Sequence, residues 1–127
     1  MATKSYGYDF PHYQVHVPVT INCAAVAAET FAAKFVAFQA CVVKSIRGVV
    51  TIVGDADADG YDLFNGTTSF ASAVTGTTAN AAIAVTMDAQ TLAAGGYIAF
   101  KTKADGGTQA ASFVLEVEPV PGADLTV

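Results

Sequence analysis

The chain has 127 residues, a mass of 13.0 kDa and a net charge of −5, which is one domain's worth of sequence and too little for two independent cores. Hydrophobic residues make up 53% and charged residues only 13%, about half the usual charged share, which excludes disorder of the charged, apolar-poor kind. An isoelectric point near 4.6 also excludes general nucleic-acid binding, because phosphate recognition needs clustered Lys and Arg.

A small domain with so few charges must cover much of its surface with Ala, Val, Gly and Thr, so it is expected to hide surface against something else. A membrane is not that partner. Glu29, Lys34, Gln39, Lys44 and Arg47 interrupt the apolar stretches well short of the ~18–20 residues a spanning helix needs. Nor does the segment after Lys4 read as a secretory signal, since Tyr6 to Gln14 is aromatic and polar. Folding in a cytoplasm is the expectation, and Cys23 and Cys41 fit it as small, reduced, buried side chains without metal-ligand spacing.

Residues 1–11 mix Tyr6, Gly7, Tyr8, Phe10 and Pro11 with polar groups and show no periodic face, which predicts an extended N-terminal arm that docks on a neighbour. The domain proper is expected over 12–127. From Tyr13 the alternation is clean, with Tyr13, Val15, Val17, Val19 and Ile21 on one face. Pro18 has no backbone donor and places that strand at a sheet edge. The alanine-rich residues 23–33 read as a loop or irregular strand with at most a turn or two of helix. Residues 35–53 carry the strongest strand signal, with Arg47-Gly48 marking a bulge or a bend between two strands.

The run Gly54 to Gly60 forms a turn, Tyr61 to Phe64 a short strand, and Asn65-Gly66 a hairpin turn into a strand from Thr67 to Val74. A turn at Gly76 to Asn80 leads to a strand from Ala81 to Met87, with Ile83, Val85 and Met87 on one face. After the turn at Ala93 to Gly96, Ile98 and Phe100 face inward, and Lys101 and Lys103 end the strand. The last strand points Phe113, Leu115 and Val117 inward and Val114, Glu116 and Glu118 outward, before Pro119, Pro121 and Gly122 close the domain. Seven to nine short strands at this spacing predict an all-β fold, an antiparallel β-sandwich in a single domain.

Motifs that carry chemistry are sparse. Asp55, Asp57, Asp59 and Gly60 match the first half of a calcium loop. The second half departs from it, because Gly66 stands where a bidentate Glu is needed and Asp62 where an apolar residue usually sits. Turn geometry and solubility are the expected roles of that run. His12 and His16 lie four apart, which on a strand separates them by about 13 Å, too far for one metal. No nucleophile–base motif accompanies them, and neither Gly95-Gly96 nor Gly106-Gly107 follows the strand–loop–helix pattern of a phosphate cradle. Asn65-Gly66-Thr67 is formally a glycosylation sequon, read here as a turn. No catalytic, cofactor-binding or metal-binding residue is expected.

Four segments together resemble a known family. They are Cys41 to Val50, Tyr61 to Ser69, Thr91 to Ile98, and Val114 to Pro119 with Pro121 to Ala123. In turns and strand texture, residues 35–127 are similar to the head decoration, or cement, proteins of tailed bacteriophages. The resemblance implies a β-sandwich or jelly-roll-like module on the capsid exterior of the virion, made in the host bacterial cytoplasm. It also implies a homotrimer that bridges neighbouring subunits of the major capsid protein, and no enzymatic site. The alternative is a fibre, spike or carbohydrate-binding module that recognises glycans through exposed aromatics, for which Tyr6, Tyr8, Tyr61 and Tyr97 are the candidates.

Overall fold

The computed structural model describes residues 17–53, 60–74, 78–104 and 108–120. Among these residues there are nine strands and no helix: β1 (Val17–Val26), β2 (Phe31–Val36), β3 (Cys41–Ile52), β4 (Gly60–Asn65), β5 (Thr68–Val74), β6 (Ala82–Ala84), β7 (Gln90–Leu92), β8 (Tyr97–Thr102) and β9 (Gln109–Pro119). They build two antiparallel sheets. One has the order β1-β9-β3-β6, with β7 on β3 beside β6; the other has the order β2-β8-β4-β5. The protein is an all-β sandwich, as its alternating segments predict. The pairs β4·β5, β3·β6, β2·β8 and β1·β9 nest in sequence around a single hairpin.

That hairpin turns at Gly66-Thr67, because Asn65 pairs with Thr68. Gly66 holds φ at 65°, a region a Cβ disfavours, so glycine occupies the first central position of a two-residue turn. The Asn-Gly signal therefore marks the right hairpin, offset by one residue.

Alternation decides which side chains meet between the sheets. On β9, Ala111, Phe113, Leu115 and Val117 face in. Their cross-strand partners on β3 are Val50, Gly48, Ile46 and Val43. From the other sheet Tyr61, Leu63, Ala73, Ile98 and Phe100 close the core, and all five are buried. Phe113 sits at the centre, stacked on Phe100 at 4.8 Å and edge-on to Tyr61 at 5.4 Å. β1 lies at the edge of its sheet and carries Pro18, as the missing donor requires. The turn from β1 to β2 holds Glu29 at φ 55° and is pinned by the end of β8, the neighbour of β2 in its sheet. The buried Thr102 hydroxyl accepts from the Thr30 N–H at 2.9 Å and donates to the Ala27 carbonyl at 2.7 Å.

Three local expectations change. β3 runs unbroken through Arg47-Gly48, and its register shifts fall on either side, between Val43 and Ser45 and between Val50 and Ile52. The break in this β-rich stretch comes instead at Ala37 to Ala40, between β2 and β3. The strand expected over Ala81 to Met87 is only β6, although Ile83 is buried and Val85 and Met87 still pack against the core. β7 is an addition that pairs with Cys41–Val43. The arm at 1–11, His12, His16 and the acidic run at 54–59 lie outside the described residues.

Tyr61 is a core residue and not an exposed aromatic. It is fully buried and its hydroxyl meets no hydrogen-bond partner among the described residues. Burial, with the Cys23 thiol nearby, pushes its phenol above the ordinary range. An unsatisfied buried hydroxyl is costly, so Tyr61→Phe is expected to raise the unfolding free energy by about 1 kcal/mol. Urea denaturation measures this, and a clear loss of stability would mean the hydroxyl is satisfied in solution.

Candidate docking surfaces

The cysteines are not a site. Cys23 and Cys41 are buried free thiols on β1 and β3. Cys23 pairs with Ala111 and Cys41 with Pro119, eight residues apart along β9, which puts the two about 26 Å apart. No disulfide can join them within one chain. Burial raises the Cys23 thiol to about 12 and pushes Cys41 up as well, which keeps both protonated and unreactive. Among the described residues no group of three His, Cys, Asp or Glu side chains can hold a metal ion, and no helix is long and apolar enough to cross a membrane.

Two surfaces remain that the fold does not use for itself. The first is one end of the sandwich, where β1 begins, β2 ends, β3 begins and β9 ends. The two sheets part there, and a groove of about 240 Å³ opens onto the core. Val17, Phe35, Val36, Phe38, Val117 and Pro119 line it, and among the described residues none that lines it is charged. Val36 is 59% exposed and Phe38 is 97% exposed, at the tip of the β2–β3 loop.

This loop is anchored on both sides of Phe38. The Ala37 N–H donates to the Gly96 carbonyl and the Gly95 N–H donates to the Ala37 carbonyl, both at 2.8 Å. The Val120 N–H donates to the Ala40 carbonyl at 3.1 Å. Gly95 takes φ 85°, which lets the β7–β8 turn present that N–H. A large apolar side chain in water on a backbone that is already held suits an interface anchor, because little loop entropy remains to be lost on binding. The sequence shows Phe38 only as one apolar residue in a β-rich run. The pair Gln39-Ala40 is its sole cue to a loop.

The second surface is the outer face of β2-β8-β4-β5. Phe31, Lys101, Asp62 and Ser72 form one cross-strand row. Lys34, Ala99 and Phe64 form the next, and Tyr97 follows opposite Val36. The Phe31 and Phe64 rings meet edge to face at 5.8 Å. Lys34 Nζ lies 5.4 Å from the Phe31 centroid and 5.1 Å from that of Tyr97, and Lys101 Nζ lies 5.3 Å from Phe31. Ala99 points outward yet is 0% exposed, so the surrounding rings and lysine stems roof it over. Beside them Lys103 Nζ donates to Asp62 Oδ1 at 2.9 Å, and the Ser72 hydroxyl donates to the same carboxylate oxygen at 3.0 Å.

The outer face of the other sheet is more self-contained. Its shallow hollow is lined by Pro18, Ser45, Arg47, Val114 and Glu116, and Ser45 Oγ donates to Glu116 Oε1 at 3.3 Å.

No known protein family matches this chain, and neither does any curated protein or solved structure. The functional reading therefore rests on these surfaces and on the sequence.

Proposed function

We propose that this chain is a virion structural protein, a capsid decoration or cement protein that binds the outer surface of the major capsid shell. In this role it bridges neighbouring subunits, as a homo-oligomer for which a trimer is favoured. The observation that carries the reading is Phe38, held out into water beside a groove whose described lining carries no charge, in a chain with few charges. Burying one such ring is worth about 1.5–3 kcal/mol, and repetition over a symmetric lattice multiplies modest contacts through avidity. A protein that binds only the assembled shell shifts the equilibrium away from disassembly by mass action.

The winding supports the reading at the level of fold. Four antiparallel pairs nested round one hairpin, with strand orders β1-β9-β3-β6 and β2-β8-β4-β5, suit a jelly roll of two Greek keys. That architecture serves both capsid and lectin domains, so fold alone does not choose a function. The anchored apolar end favours assembly.

Co-sedimentation tests it. The isolated protein is mixed with shells of the major capsid protein from the same genome and pelleted. Saturable co-pelleting, with shells that then survive heating better, is the expected result. A protein that stays in the supernatant at all concentrations overturns the reading.

A further inference from the structure

The outer face of β2-β8-β4-β5 has features that capsid attachment at the Phe38 end does not use. Three of the six Lys and Arg residues of a chain with net charge −5 are Lys34, Lys101 and Lys103, all gathered here. Lys103 is neutralised by Asp62 at 2.9 Å. Lys34 and Lys101 are not: among the described residues no carboxylate pairs with either, and both ammonium groups lie within 5.4 Å of the same Phe31 ring centroid. Two like charges on one ring repel each other, and the ring offsets only part of that repulsion. An anion between them would relieve it. Phe31 is 48% exposed, so the arrangement faces solvent.

The geometry points to a binding site for acidic carbohydrate on this face, taking a pyranose ring that bears a carboxylate. Each part of such a ligand has a counterpart. The apolar C–H face of a sugar ring would pack on the part of Phe31 that its two lysines and the edge-on Phe64 leave open, since Phe31 is 48% exposed. The carboxylate meets the ammonium groups of Lys34 and Lys101 in charge-assisted hydrogen bonds. Sugar hydroxyls can hydrogen-bond to the Ser72 hydroxyl and the Asp62 carboxylate in the adjoining row. A bare phosphate would satisfy the lysines and leave the rings unused. An acidic peptide could add as a strand only along the β2 or β5 edge of this sheet, since β8 and β4 are already paired on both sides, and the polyglutamate arm of the test separates it from a sugar.

This assignment rests on residues other than those of the capsid reading, because Phe31, Lys34, Phe64 and Lys101 do not line the Phe38 groove, although Tyr97 pairs with Val36 at its rim. It also changes the aromatic set expected from sequence: Tyr6 and Tyr8 lie outside the described residues, Tyr61 is buried, Tyr97 is on this face, and Phe31 and Phe64 join it.

The test is calorimetric titration of the full chain with a short galacturonic acid oligomer, its neutral galactose counterpart and a polyglutamate peptide of equal charge. The acidic sugar is expected to bind, the neutral sugar to bind at least about tenfold more weakly, and raised salt to weaken the acidic complex. The double variant Lys34→Gln/Lys101→Gln keeps the aliphatic stems and should lose at least about tenfold in affinity, as should Phe31→Ala. Lys44→Gln, on the other sheet, serves as the control and should bind as the parent does. Unaltered thermal melts of the variants establish that they fold. No heat with the acidic sugar overturns the assignment, as does undiminished binding by the double variant. Equal binding of polyglutamate overturns it too and gives the face to an acidic protein partner.

Discussion

Gly48→Ala is expected to lower the unfolding free energy by about 3 kcal/mol, the upper end for overpacking a well-filled core, and the thermal midpoint by roughly 10 °C. By propensity the sign should be the opposite, since glycine inside a strand costs about 0.5–1 kcal/mol relative to alanine. Tertiary contact reverses it. A Cβ on Gly48 would stand 2.7 Å from Cδ1 of Phe113 and 2.7 Å from the Ser112 carbonyl oxygen. Neither neighbour can yield easily. The carbonyl belongs to the backbone of β9, and Phe113 is wedged between Phe100 at 4.8 Å and Tyr61 at 5.4 Å. Urea denaturation at constant m-value measures the loss. A double-mutant cycle tests the cause: in a Phe113→Leu background the same substitution should cost distinctly less. Additive losses would mean that the ring is not what excludes the methyl group.

On the proposed capsid-binding reading, Phe38→Asp should weaken attachment to the shell roughly 100-fold, the loss expected for removing a hot-spot aromatic and placing a charge in an apolar contact. Its stability should stay within about 0.5 kcal/mol of the parent, because the ring is 97% exposed and supports nothing in the isolated fold. That separation of effects makes the variant diagnostic. Binding is read as the protein concentration that half-saturates the shells, and stability as the melting midpoint. Unchanged half-saturation would remove Phe38 from the interface. The groove-lining Val117 is a poorer probe, since it is buried and its truncation would destabilise the core as well.

The residues that sequence reads well are those whose neighbours are set by the strand repeat. Val17, Val19 and Ile21 on β1 share a face, as do Phe113, Leu115 and Val117 on β9, because alternation is a property of the strand itself. The residues it reads poorly depend on distant partners. Gly48 suggests a bulge by type, yet its reason is Phe113, 65 positions away in a paired strand. Tyr61 and Tyr97 are the same residue type in similar strand contexts, and one is buried while the other lies half-exposed on an outer face. The break at Ala37 to Ala40 contains neither Gly nor Pro; backbone bonds to Gly95 and Gly96 hold it. Both candidate surfaces share this character. Phe31 with Lys34, Phe64, and Tyr97 with Lys101 come from three strands, and only sheet register brings them into one cluster.

By itself, then, the sequence determined an all-β chain with two-faced strands, a single core and too few charges to cover the remainder. The tertiary structure alone decided how the strands nest, which strands pair, and where the uncovered apolar and cationic surfaces lie. The physical reason is range. Alternation and turn chemistry act over a few residues, whereas burial depends on which strands pair across the whole chain.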